Sequence, residues 1–374
     1  MNDLHPGKRR GQHLTTHTDN IGANIQASRS YGEGGVGVVF AKRSAKDLIV
    51  SKIPFLTVLV VLTLLPFLNV GGFWLDVLTK VNLFLLVTLA IDLYSGTTYY
   101  LNLGVSFTFG FAGYSLALLN VYYGIPTEYS TLLAIPVSIF SSLVILLPSL
   151  KIRGVYFAIL SLLVPIVFIG IVTAQPFSIY LGGEGGLRFK QLFLDFARGL
   201  PPGVRLTFLQ YSYYYISLVA AVIGYVIAYK ISFSEFGFML RAVGQDEELA
   251  EGTGINTLKV KVVGFLISSA YASVAGALYA SMRPPVTVDL VVPANTLIPP
   301  LTSVIVGGLG TLIGPAIANY LLLLTYEFLW GLIGRWRVIA YMLLLIIIIT
   351  IKPQGIIFKA YVEAKKFLRG VFSE

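Results

Sequence analysis

The chain has 374 residues, of which 56% are hydrophobic and 12% charged, about half the charged share of an ordinary soluble domain. No set of soluble cores of this length could bury so much apolar surface, so lipid is the expected solvent for most of the chain. Cysteine is absent and the only histidines are His5, His13 and His17, which excludes disulfides, thiolate nucleophiles, Ser-His-Asp triads and HExxH zinc sites; no catalytic residue, metal or cofactor is expected.

Residues 1–46 are rich in Gly, Ser, Thr, Asn and Arg and are expected to form a disordered cytoplasmic tail. No short apolar core with a cleavage site follows Lys8-Arg9-Arg10, so no signal peptide is expected. Residues 47–358 form the membrane region, in which apolar stretches of about the 20 residues needed to cross hydrocarbon recur. They predict spans at 53–70, 75–94, 98–123, 130–150, 154–174, 211–229, 260–282, 297–308, 315–333 and 338–351. The eighth is short and proline-rich, so the expected fold is an all-α polytopic transmembrane bundle of nine to ten spans. Residues 359–374 are read as a second cytoplasmic tail.

The net charge is +9, and its distribution sets the orientation. With both termini inside a plasma membrane, about nineteen of the 27 basic residues fall on the cytoplasmic side and eight outside. This is the positive-inside bias, and it accounts for the basic balance without nucleic acid. It also places the connection 175–210 outside, with its cluster Gly182-Gly183-Glu184-Gly185-Gly186, and the mixed-charge connection 230–259 inside.

Small residues are dense in two spans, Gly104, Gly110, Ala112 and Gly113 in the third and Ser268 to Ala277 in the seventh. They suit close helix packing, and equally glycine-broken helices lining a pathway. Asp92 and Glu327 are the clearest intramembrane carboxylates, with Lys80 near an interface. They fit either the coupling groups of an ion-driven carrier or hydrogen-bonded structural positions. No GxxxxGK[ST] loop occurs, so an ATPase driving transport would be a separate protein.

In the cytoplasmic connection, Asp246 is a suitable N-cap for a helix of about two turns, with Glu247 and Glu248 at its positive end and Gly252 and Gly254 closing it. Such a helix is marginal alone, so it is expected either to dock in a groove of another protein or to lie solvated at the surface.

The run FGFMLRAVGQDEELAEGTGIN (Phe236 to Asn256), followed by ISSAYASVAGALYA (Ile267 to Ala280), resembles the coupling loop and next helix of branched-chain amino acid ABC importer permeases of the LivM type. In the same order, LNLGVSFTFGFAGY (Leu101 to Tyr114), RGVYFAI (Arg153 to Ile159), LGGEGGL (Leu181 to Leu187), VGGLGTLIGP (Val306 to Pro315) and KPQGII (Lys352 to Ile357) are similar to further motifs of that family. Val105 stands where many members have histidine, Tyr99 and Tyr100 replace a Gly-Gln pair, and Leu181 replaces a threonine.

The resemblance implies a non-enzymatic permease subunit of an ATP-driven amino acid importer. Its implied partners are a LivH-like second permease, two cytoplasmic ABC ATPase subunits and an external substrate-binding protein, within membrane lipid. It implies that Glu247, Glu248, Ala250, Glu251 and Gly254 lie on the ATPase-coupling helix. Gly104, Phe109, Gly110 and Tyr114 would belong to the helix beside the translocation path, and Gly182, Gly183, Gly186 and Leu187 would shape the outer loop. A sugar or nucleoside permease of the same superfamily is the nearest alternative, with an ion-coupled secondary carrier behind it.

Overall fold

The computed structural model describes residues 71–149 and 154–351, together with Thr63, Pro66 and Ile152. The predicted span 53–70 and both tails lie outside the described residues, apart from those isolated positions. The described residues are helical, with no strand beyond an isolated bridge between Leu187 and Val286. Seven helices among them are long and apolar enough to cross a membrane.

The first, α1 (Gly72–Thr98), is the centre of the molecule: every residue from Val81 to Thr98 is buried. A helix apolar all round must be surrounded, and α1 is packed by α6 (Pro202–Ser232), α9 (Thr257–Met282), α10 (Ile298–Gly307) and α11 (Ile313–Ile333). Buried polar side chains join it to its neighbours. Asn82 receives the Tyr320 hydroxyl at 2.7 Å and reaches Ser217 at 3.2 Å, while Asn319 donates to the Val81 carbonyl at 3.0 Å.

Between α1 and α2 (Val105–Tyr123) the chain breaks sharply instead of running through as the predicted span 98–123. Tyr99 takes a left-handed conformation, φ 57°, and closes α1 with its N–H on the Ser95 carbonyl. The Ser95 hydroxyl then accepts from the Asn102 N–H at 3.0 Å, and the Asn102 side chain from the Gly104 N–H at 3.0 Å. These three bonds, with those from the Tyr100 and Leu103 amides to the Thr98 and Ser161 hydroxyls, hold the backbone of the turn, which apolar periodicity alone does not reveal.

The following helices are α3 (Thr127–Ser141) and α4 (Leu143–Ser149), which together supply one of the seven long segments, Thr127–Pro148, and α5 (Val155–Thr173). The α6 helix is 31 residues long and begins at Pro202, nine residues before the predicted span. A helix need not stop where the hydrocarbon does: Pro202 suits its first turn, and Arg205 anchors it by donating to the carbonyls of Ala197 and Arg198 at 3.1 Å each.

The next two helices, α7 (Glu235–Gln245) and α8 (Glu247–Gly252), form the 230–259 connection together with the end of α6. At 10 residues α10 is about 15 Å long, half of a hydrocarbon core, and α12 (Arg337–Ile351) has 15 residues.

Close approach is where the small residues act. A Cβ at Gly276 of α9 would collide with the Phe109 carbonyl of α2, and one at Gly110 with the Val291 side chain. Serines add bonds between helices, Ser268 to the Ala90 carbonyl at 2.7 Å and Ser273 to Ser138 at 3.1 Å. Large apolar side chains on the far faces of α5, α6 and α11, among them Val167, Ile223 and Leu321, are exposed, which suits hydrocarbon surroundings.

Candidate functional site

Three regions carry the sequence-predicted residues, and they lie on different parts of the fold. In the 230–259 connection, α8 is capped as expected: the Asp246 carboxylate accepts from the Leu249 N–H at 3.0 Å. Preceding it is α7, a helix capped by Ser234 and seated so tightly that a Cβ at Gly244 would collide with the Thr97 carbonyl at the end of α1.

The two faces of α8 have different partners. Glu247 points inward, where it pairs with Lys261 of α9 at 2.5 Å and accepts from the Tyr100 hydroxyl at 2.7 Å. Both charged side chains are nearly enclosed, 13% and 12% exposed, and the Lys261 ammonium also lies 4.9 Å from the Tyr100 ring centroid. Ala250 is buried against Leu240, Val243 and Val260. Glu248, Glu251 and Gly254 are exposed, and between them Leu249 projects with 67% of its surface free. Of the five residues, then, Glu247 and Ala250 hold the helix down, Glu251 is exposed while accepting from the Thr257 hydroxyl of α9 at 3.3 Å, and Glu248 and Gly254 face outward. Leu249, which the motif reading passed over, is the apolar centre of the outward face, and its place one position from Ala250 on a capped helix is the signal that could have found it.

The α2 residues are packed inside the bundle. Phe109 is fully buried with its ring 5.6 Å from Tyr279 and 6.0 Å from Phe84. Gly104 sits under Ile145 and the Ser161 carbonyl, and Tyr114 lies in a cluster with Val172, Leu187 and Val286, its ring 5.4 Å from Phe168. Three of the predicted positions thus lie on α2 and Gly104 precedes its first residue, each in close contact with neighbouring elements.

The glycines at 182–186 build a tight turn. Gly186 has φ 70°, a conformation side chains disfavour, and a Cβ there would collide with the Val286 carbonyl. That approach permits the paired bonds between Leu187 and Val286, 2.9 and 3.0 Å, which tie the 174–201 connection to the segment after α9. Gly183 and Leu187 are buried within the turn and Glu184 is exposed.

The two intramembrane carboxylates are both engaged. Asp92 is fully buried, and each of its oxygens accepts one backbone N–H, Gly310 at 2.7 Å and Leu312 at 2.9 Å. Those amides belong to the glycine turn between α10 and α11, where Gly310 has φ 73° and lies against Gly96 of α1 without room for a Cβ on either side. Glu327 pairs with Lys80 at 2.7 Å, and the lysine also lies 5.5 Å from the Phe84 ring.

Residues 73–351 match the family model described as the permease component of branched-chain amino acid transport systems. The chain is 25% identical over 323 residues to the high-affinity branched-chain amino acid transport system permease protein LivM of Salmonella typhimurium, covering 82% of this chain and 75% of that one. A 155-residue stretch is 31% identical to the probable branched-chain amino acid transport permease protein LivH of Methanocaldococcus jannaschii, 38% of this chain and 46% of that one. A shorter stretch of 68 residues is 31% identical to the guanosine ABC transporter permease protein NupQ of Bacillus subtilis, 18% of this chain and 21% of that one. No solved structure matches the chain.

Proposed function

We propose, from the premise that this chain belongs to the family of branched-chain amino acid transport permease components, that it is the membrane-spanning subunit of an ATP-driven importer for branched-chain or related amino acids. Amino acids are favoured over nucleosides because the likeness to LivM runs through most of both chains, whereas that to the guanosine permease covers 68 residues. A LivH-like second permease, two cytoplasmic ABC ATPases and an external binding protein complete the importer, embedded in lipid with both termini in the cytoplasm.

The observation that carries the coupling part of this reading is the two-sided character of α8. Its inner side is clamped to α9 and to the α1–α2 turn through Glu247, while its outer side presents Leu249 between Glu248 and Glu251. A leucine flanked by carboxylates on a rigidly held short helix suits an apolar groove with a basic rim, and a load applied there passes directly into the central helix of the bundle.

An ion-coupled carrier is disfavoured by the engagement of its required carboxylates. Asp92 is held by two backbone amides and Glu327 by Lys80, so neither presents a free carboxylate to a coupling ion.

The test is a photo-crosslinking residue placed at position 249 in native membranes. The expected product is an adduct with an ATP-binding subunit, identified by mass spectrometry; the same residue at the lipid-facing position 167 should give none. Absence of that adduct from position 249 would overturn the docking assignment.

A further inference from the structure

A cavity of about 330 Å³ opens at the end of the bundle where α1 and α6 begin and α9 ends, roofed by the 174–201 connection. Its volume is in the range of small-ligand pockets. None of the motifs described above includes it. Asp76 and Arg283 line it side by side, together with Gln191 and Gln210, and Leu209 and Met282 supply apolar lining.

The two charges form a loose ion pair at the outer limit of salt-bridge distance. The closest approach of the Arg283 guanidinium to the Asp76 carboxylate is 4.0 Å, and the side chains remain 34% and 53% exposed. Arg283 is held in place by other contacts: it donates to the Asp76 main-chain carbonyl at 2.8 Å and lies 5.2 Å from the Tyr279 ring. Among the described residues the Asp76 carboxylate accepts no hydrogen bond, and the Gln210 carboxamide makes none. The cavity therefore offers a carboxylate held only by a long ion contact and no hydrogen bond, the remaining N–H groups of a fixed guanidinium, an unbonded carboxamide and an apolar wall.

We infer that this cavity is a receiving site for a zwitterionic α-amino acid with an apolar side chain. A simple anion would meet the Asp76 carboxylate and a simple cation the guanidinium. A ligand carrying ammonium and carboxylate on one carbon satisfies both, with the ammonium on Asp76, the carboxylate on Arg283 and the side chain against Leu209 and Met282. The inference deepens the importer reading and rests on it for the identity of the cargo and for the outward opening of the cavity.

The absence of native cysteine makes the test clean. Leu206 lines the cavity at its rim and is 65% exposed, so Leu206→Cys in the assembled complex in intact cells should react with a membrane-impermeant thiol reagent. Millimolar L-leucine should slow that reaction at least threefold. Isopentylamine, which lacks the carboxylate, and 4-methylpentanoate, which lacks the ammonium, should not. Adding Asp76→Asn or Arg283→Gln should abolish protection while the unprotected rate persists, which shows that the variant is folded and the cavity still open.

Equal protection by either single-charge analogue, or none by leucine, would overturn the site, as would absence of reaction at position 206. Leucine uptake by cells carrying the unsubstituted chain separates the two claims. Uptake without protection removes the site and leaves the importer reading intact; protection without uptake keeps the site and removes the importer reading.

Discussion

Asp92→Asn replaces an acceptor of two hydrogen bonds by a group that can accept at one oxygen only. The carboxylate receives the Gly310 and Leu312 amides on separate oxygens at 2.7 and 2.9 Å, in a fully buried position. Asparagine keeps one of these bonds and turns its NH2 group toward the other amide, donor against donor. The loss is one charge-assisted bond plus a buried N–H left unsatisfied, about 1–3 kcal/mol. At about 2.1 cal/mol/K of unfolding entropy per residue, a kcal/mol moves the melting temperature of a chain of this length by roughly 1.3 °C, so a fall of about 1–4 °C is expected.

The assay is thermal unfolding of the purified complex followed by fluorescence, with leucine uptake measured on the same variant. Uptake should remain within about tenfold of the unsubstituted protein, because the carboxylate holds a turn and carries no ion. An unchanged melting temperature with abolished uptake would refute the clasp and make Asp92 a participant in transport.

Two further substitutions probe the remaining buried charges. Lys80→Met leaves Glu327 without its ion-pair partner and should destabilise toward the lower end of the ~3–5 kcal/mol typical of a broken buried pair, because the lysine side chain is 22% exposed; Lys80→Met with Glu327→Leu should recover most of the melting temperature. A double variant no more stable than the single one would contradict this. Tyr100→Phe removes the phenol that donates to Glu247 and should speed hydrogen exchange of the 247–252 amides about tenfold, equivalent to about 1.4 kcal/mol, without a matching change in α1. Unchanged exchange in 247–252 would show that the Tyr100 contact does not hold α8 down.

Apolar runs located the long helices because hydrocarbon thickness leaves a direct mark on composition, and the Asp246 cap was visible because it acts within three residues of its own position. The misread features depend on distant partners. The break at 99–104 is made by Ser95 and Asn102 exchanging bonds with the turn, and the early start of α6 by Arg205 reaching back to Ala197 and Arg198. Neither alters the hydropathy pattern. The Ser234 cap of α7 also acts within three residues and is equally legible; what the sequence does not show is Gly244 seated against the end of α1.

At the candidate sites the residue types were legible and their directions were not. Glu247 and Glu248 are adjacent in sequence and share the first turn of the expected helix. A single helical step turns Glu247 onto Lys261 and Tyr100 and leaves Glu248 exposed. The same holds for Asp92, whose partners lie 218 and 220 residues away in a glycine turn that the motif similarity had marked without indicating what it contacts.

The measurement that bears most directly on the importer reading is leucine uptake by proteoliposomes containing this chain with its copurifying subunits and the external binding protein. ATP enclosed in the lumen, on the side proposed for the connection 230–259, should drive accumulation that persists when ionophores collapse every ion gradient. Accumulation driven by an imposed ion gradient without ATP would contradict the account and return Asp92 and Glu327 to the role of coupling groups.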